Sequence, residues 1–350
     1  MLATMRGGWI SEGKRVREFE VAFGERFGVP HALALNSGTA ALHLALVCAG
    51  VGPGDEVVTT AQTFVATAMS VLHVGARPVF ADIFDDRPVL DPTDVARRVT
   101  DRTKAILVVH YGGEPSDMDE IGAIARRHNL TVIEDAAHAL GATYKGRPVG
   151  TLGDYAIFSF QAIKQLTTAD GGMLVAMAES AHREAYRRRW FGIDRERRVP
   201  NELGEADWDI TEVGYKYHMN DLNASLGLAH LSAFDEQQAR RQRLATLYRD
   251  TLSNVAGLRL LAAPGDRTSS HWLFTILVER RLAFIRAMKA RGVEAAVWHR
   301  RIDRHTLFGG VRSDLPNQTR FDEHQVAIPL RSSMTDDEAH CVLDAVRAGW

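Results

Sequence analysis

Short apolar runs recur through the first half of the chain: Ala32–Leu35, Glu56–Thr60, Pro78–Ala81, Ala105–His110, Leu130–Ile133, Ala156–Phe160 and Met173–Ala176. A run this short and this apolar predicts a strand buried on both faces. The stretches between them carry helical patterns. Val16, Phe19, Phe23 and Phe27 recur at helical spacing with charges between them, which is an amphipathic helix. An Ala/Leu-rich segment runs to Cys48, Gly50 ends it, and Pro53-Gly54-Asp55 makes a turn. Asp119–His128 is a further helix. Strands alternating with helices predict an α/β fold, with a mainly parallel sheet and helices on both faces.

The texture changes near Leu231. Ser232–Leu252 reads as a long charged helix. A strand over Trp272–Val278, a helix over Arg281–Arg291, a strand over Val293–Trp298 and a helix over Asp336–Val346 follow. That is an α+β layout. The 350 residues therefore divide into a large domain, 1–235, and a smaller C-terminal domain, 236–350.

Composition removes several function classes. Lys+Arg number 42 against 44 Asp+Glu, a net charge of −2, which does not mark a nucleic-acid binder. No run of about 18 uncharged apolar residues predicts a membrane span, and the N-terminus lacks the apolar core of a signal peptide. Cys48 and Cys341 form no metal spacing. His299 and His305 match no metal signature either. The expectation is a cytoplasmic, metal-free protein.

In a parallel sheet, ligands gather beyond the carboxyl ends of the strands. After Leu35 comes Asn36-Ser37-Gly38-Thr39 at the opening of a helix, where free N–H groups favour an anion; an ordinary N-cap serine explains the same residues. Glu134-Asp135 follow the Leu130–Ile133 run, and a carboxylate there can hold a cationic ring nitrogen or simply cap a turn. His138 stands three residues on. Ser159 and Lys164 follow the Ala156–Phe158 run; a desolvated lysine attacks carbonyls, an exposed one does not. Phe64 can stack on a planar ring or fill a core. Each signal alone is weak. Together they supply what a phosphorylated pyridine aldehyde needs, and that is pyridoxal phosphate.

Three segments, Asn36-Ser37-Gly38-Thr39-Ala40-Ala41-Leu42, Glu134-Asp135-Ala136-Ala137-His138 and Phe158-Ser159-Phe160-Gln161-Ala162-Ile163-Lys164, resemble the DegT/StrS family of pyridoxal-phosphate-dependent sugar aminotransferases. Gly153-Asp154 and Gly171-Gly172 also sit where that family has them, and the resemblance runs from about Gly8 to the C-terminus. It implies a fold-type I aminotransferase architecture and a homodimer with the site at the subunit interface. It implies that Lys164 carries the cofactor, Asp135 pairs with the pyridinium nitrogen and Phe64 stacks on the ring. Ser37, Gly38, Thr39 and Ser159 would hold the phosphate. His138 falls where many members have Gln near the ring hydroxyl. Lys216, in Gly214–Asp221, falls where many have Asn, and could meet the phosphate as a point charge or lie on the surface.

The resemblance further implies a keto-sugar nucleotide acceptor, with a 4-keto-6-deoxyhexose indicated by Trp190–Arg195 and Gly214–Asp221, and glutamate as amino donor. Deoxyamino sugars of this kind serve antibiotic or polysaccharide biosynthesis. Arg187, Arg188, Arg189, Arg195, Arg197 and Arg198 are candidates for the nucleotide's phosphates, as is the group Trp298–Arg301 with Asp303–His305. A cyclitol (inosose-type) aminotransferase is an alternative. A sugar 3-dehydratase of the same family is another, although such enzymes carry His in place of the lysine.

Overall fold

The structure, a computed structural model, describes residues 1–195 and 199–350. Seven strands form the main sheet: β1 Ala32–Leu35, β2 Glu56–Thr60, β3 Arg77–Ala81, β4 Thr103–Val109, β5 Thr131–Asp135, β6 Tyr155–Ser159 and β7 Gly172–Ala176. Their order is β1-β7-β6-β5-β4-β2-β3. The pairs β2–β3, β2–β4, β4–β5 and β5–β6 are parallel, whereas β7 runs antiparallel to both β1 and β6. The sheet is therefore mainly parallel, as the alternation predicts, with one reversed strand.

Alternate residues of each strand feed opposite layers. Leu33 and Leu35 pack with Ala41, Leu42 and Leu46 of helix Gly38–Cys48. Ala34, Phe158 and Met173 pack on the other face against Val16, Phe19 and Phe23 of helix Lys14–Phe27. Phe23 meets Phe158 and Phe160 edge to face, at centroid distances of 5.3 and 5.7 Å, a favoured aromatic geometry.

A second sheet joins β8 Leu258–Leu260, β9 Phe274–Val278 and β10 Gln325–Ile328, all antiparallel, in the order β8-β9-β10. It shares a core with helices Phe234–Leu252, Arg281–Ala290 and Asp336–Arg347, through Tyr248, Ile276, Phe284 and Val342. Two sequence expectations fail here. The segment 293–298 is not a strand: Ala296 alone bridges to Ala327, after which the chain turns toward the main sheet. The expected strand at Trp272 begins only at Phe274, because Ser270 and Leu273 are tied instead to the Gly112–Gly113 backbone.

Candidate active site

The carboxyl ends of β5 and β6 are neighbours, with Asp135 registered against Ile157. The helix Gly38–Cys48 begins beside them. A cavity of about 330 Å³ opens there. Its lining includes Ser37, Gly38, Thr39, Phe64, Asp135, His138, Ser159 and Lys164. The structure thus brings into one pocket every residue singled out for cofactor contact except Lys216.

Backbone approach builds one end of the pocket. Ser37 caps the helix, its Oγ accepting from the Ala40 N–H at 3.0 Å. A Cβ on Gly38 would stand 3.0 Å from the Ser159 Cβ, and one on Gly172 would stand 2.5 Å from the Ser37 carbonyl oxygen. The glycines let the helix N-terminus, Ser159 and β7 meet closely enough to form a small cradle of N–H and hydroxyl groups.

At the end of β5, Asp135 is buried. Its Oδ2 accepts from Thr67 Oγ1 at 2.8 Å and its Oδ1 from the Ala137 N–H at 3.2 Å. Thr67 Oγ1 is in turn 2.6 Å from Thr63 Oγ1. Burial raises the carboxyl above its ordinary range, while the Thr67 and Ala137 hydrogen bonds and the Lys164 charge pull the other way. A cation placed against this carboxylate would relieve the cost of burying it.

The loop between β6 and β7 explains the position of Lys164. Phe160 and Gly171 pair their backbones, and Thr168 N–H returns to the Phe160 carbonyl. The antiparallel return of β7 keeps the whole loop at the carboxyl end of the sheet. Lys164 projects from it with Nζ 4.0 Å from the Trp272 ring centroid. Burial lowers its pKa to about 8, opposed by the Asp135 charge.

His138 is sealed on one side by Trp272, ring on ring at 3.8 Å and 13°. Its Nδ1 faces the Gly112 N–H at 3.4 Å, which places the proton on Nε2. Burial, with Lys164 and His299 nearby, holds the imidazole well below its usual pKa, so it is neutral. Phe64 is 55% exposed, so it does not serve the core. Its ring lies 5.7 Å from that of His299, which lines the same pocket.

Lys216 stands elsewhere. Its carbonyl accepts from Asn36 Nδ2 at 3.3 Å, and its Nζ is 5.7 Å from the Trp190 ring centroid. The arginine candidates are mostly occupied. Arg187 and Arg188 pair with Glu212, and Arg189 and Arg195 pair with Glu12. Arg189 is 1% exposed and also binds Glu20 and the Ala34 carbonyl. Arg300 pairs with Asp322 and Arg301 with buried Asp303, so these are structural ion pairs rather than free cations. Arg304 and His305 are exposed. Arg197 and Arg198 lie outside the described residues.

Sequence reasoning missed Thr67 and Trp272; it named His299 within a candidate group for the nucleotide's phosphates, and the structure places it in the lining of this pocket. Thr67 is one turn beyond Thr63, a spacing that could have marked it. Nothing local marks Trp272, whose partners His138 and Lys164 are more than 100 residues away.

The donor set fits pyridoxal phosphate: a small N–H cradle for a phosphate, a buried carboxylate for a ring nitrogen, a lysine of depressed pKa for the aldehyde and aromatic walls for a flat ring. Comparison with known proteins points the same way. The chain matches the profile of the DegT/DnrJ/EryC1/StrS aminotransferase family over residues 1–347. It is 38% identical to the spore coat polysaccharide biosynthesis protein SpsC of Bacillus subtilis (strain 168), over 98% of this chain and 92% of SpsC. The sugar aminotransferase CalS13 of Micromonospora echinospora superposes with a TM-score of 0.94 at 34% identity, covering 99% of this chain and 95% of that one. The pyridoxal-phosphate form of Spr1654 from Streptococcus pneumoniae, a sugar aminotransferase by description, gives a TM-score of 0.90 at 29% identity, with 99% and 94% covered.

Proposed function

Because the chain belongs to the DegT/DnrJ/EryC1/StrS aminotransferase family, and is a pyridoxal-phosphate-dependent sugar aminotransferase, we propose that it aminates a nucleotide-linked keto-deoxysugar, a 4-keto-6-deoxyhexose, with glutamate as donor. The observation that carries the assignment of the site is the pairing in one pocket of a half-buried Lys164, of pKa about 8, with a buried Asp135.

Bound pyridoxal phosphate supplies an aldehyde that takes up the amino group and a ring that takes up the electron pair of the breaking C–H bond. Ser37, Gly38, Thr39 and Ser159 would hold its phosphate at the helix N-terminus. Asp135, held in place by Thr67 and Ala137, would face the ring nitrogen and keep a proton there. Phe64 would cover the ring, and neutral His138 would donate from Nε2 toward the ring hydroxyl. Lys164 Nζ would hold the cofactor aldehyde between turnovers and would serve as the base and acid for the substrate proton. With a pKa near 8, roughly one Nζ in four is unprotonated at pH 7.5, against about one in a thousand for an ordinary lysine.

In this reading residues 1–235 bind the cofactor, and residues 236–350 contribute His299 to the pocket and Trp272 behind His138. The working unit is a homodimer in which Lys216 meets the phosphate held by the other subunit. Two features support this: Lys216 stands outside its own pocket, and the nearby Trp208, Ile210 and Val213 are 45–71% exposed.

A panel of 3-keto and 4-keto nucleotide sugars with glutamate, read by mass spectrometry, tests the substrate. Amination of a 4-keto-6-deoxyhexose is the expected result; amination only of a nucleotide-free cyclitol ketone would refute it. Lys164→Ala should abolish both the visible absorbance of the cofactor and turnover. Retention of both would refute the role of Lys164.

A further inference from the structure

A second cavity, of about 190 Å³, lies between the main sheet and the second sheet. It shares a wall with the active site. His271 and Leu273 line this cavity, while between them Trp272 stacks on His138. Ser270 Oγ donates to the His138 carbonyl at 2.7 Å. None of the charged groups lining it has a part in the reaction described above.

Three guanidinium groups face it, those of Arg87, Arg249 and Arg267. Two are matched by carboxylates. Arg87 donates to both oxygens of Asp117 at 3.1 and 2.8 Å. Arg267 donates to Asp117 at 2.5 Å and to Asp266 at 2.8 Å. Arg249 donates to the Leu261 carbonyl at 2.9 Å, and among the described residues it has no carboxylate within ion-pair distance. Two buried polar atoms are unsatisfied: Nε of Arg87, a residue 9% exposed, and Oε1 of Glu114, which also lines the cavity. Native proteins rarely leave such groups unpaired without a use for them. The remaining wall is apolar, formed by the run Leu261-Ala262-Ala263-Pro264 with Leu273 and Phe274.

We propose that this cavity binds a small monocarboxylate with a short apolar tail, its carboxylate paired with Arg249 and hydrogen-bonded by the carboxyl of Glu114, its tail against Leu261–Pro264. The charges favour one negative charge and no more. Arg87 pairs with Asp117 and, at 3.7 Å, with Asp86, and Arg267 pairs with Asp117 and Asp266, leaving Arg249 as the lining guanidinium without a carboxylate partner among the described residues. Glu114 can then donate only when it holds a proton. Burial pushes its pKa up to about 7, against the pull of Arg267, Arg87 and Arg249 and with the help of Asp117. Of the other titratable groups lining the cavity, burial pushes the Tyr111 phenol up, so it keeps its proton, and pushes His271 down to about 4, so it stays neutral above pH 6. A dianion would overfill the site, and inorganic phosphate has no tail for the apolar wall.

The test is calorimetric titration of sodium butyrate into the cofactor-loaded enzyme. Saturable binding is expected at pH 6, weakening about tenfold by pH 8 as Glu114 loses its proton. Arg249→Gln should weaken binding at pH 6 by about tenfold or more. Glu114→Gln keeps a hydrogen-bond donor, so it should retain binding and reduce the pH effect to less than about twofold. Both variants should keep native turnover. The proposal is overturned if butyrate gives no saturable binding to the coloured, folded enzyme. Binding that Arg249→Gln leaves unchanged, which would locate it elsewhere, also overturns it, as does equal competition by inorganic phosphate. Should Arg249→Gln fail to fold, the Glu114→Gln comparison decides alone: a pH effect that persists in that variant sinks the idea.

Discussion

Lys164 Nζ lies 4.0 Å from the centre of the Trp272 indole, and the same indole stacks on His138 at 3.8 Å. One side chain, fixed by a hydrogen bond from its Nε1 to the Ile163 carbonyl at 3.2 Å, therefore shields both a lysine and a histidine from water. The ring face attracts a cation, yet burial prevails and the amine titrates near 8. Because the lowered pKa favours the unprotonated amine, that form predominates above pH 8 instead of above the ordinary value near 10.4. The rate at which the apoenzyme takes up pyridoxal phosphate, followed by visible absorbance, should rise with pH to a midpoint near 8. Trp272→Ala admits water and should move that midpoint up by about one unit. An unmoved midpoint would mean that the indole does not set the lysine's environment.

Thr67 positions the carboxylate of Asp135. Thr67→Val removes the 2.8 Å hydrogen bond and leaves only the Ala137 N–H on that side chain. We expect kcat to fall about tenfold with little change in KM for the donor, since one hydrogen bond to a charged group is worth about 1.5–3 kcal/mol. Asp135→Asn, which cannot stabilise a cation, should cost on the order of 1,000-fold. Equal losses in the two variants would show that Thr67 does more than position Asp135.

The cradle depends on Gly172. In Gly172→Ala the new methyl would stand 2.5 Å from the Ser37 carbonyl oxygen and 2.6 Å from the Gly38 nitrogen, so Ser37 and Gly38 must move. Affinity for pyridoxal phosphate, measured by equilibrium dialysis, should fall at least about tenfold. Gly52→Ala, with nothing within 4 Å of the added carbon, is the matched control and should bind normally.

Glu134, beside Asp135, serves the fold. It is fully buried and accepts from the N–H groups of Gly150, Leu152 and Gly153 at 3.1, 2.8 and 2.9 Å. His110 Nε2 adds a fourth contact at 3.0 Å, while His110 Nδ1 accepts from the Ser116 N–H. Glu134→Ala strands all four donors and should cost about 3–5 kcal/mol in urea unfolding. Glu134→Gln keeps one acceptor oxygen and should cost clearly less. No difference between the two would mean that the donors find other partners.

The sheet was legible because its signals are local. Leu33, Ala34 and Leu35 alternate between two cores, so β1 had to be apolar throughout. The same locality placed Asp135 at a strand end and Ser37 at a helix start. The segment 293–298 misled for the reverse reason: apolar residues there are needed at Val293 for the second core, not for a ladder. Arg189 and Arg195 offered cations whose acceptors, Glu12 and Glu20, lie far off in the sequence near the start of the chain.

By itself the sequence determined the alternation of strands and helices and the residue types waiting at the strand ends, since side-chain period and capping chemistry act over a few residues. Only the tertiary structure decided the antiparallel return of β7, which holds Lys164 at the carboxyl end, and the arrival of Trp272 and His299 beside it. The contacts of Trp272 and His299 with Lys164 join residues more than 100 positions apart, and packing of the whole chain, not any local period, sets them.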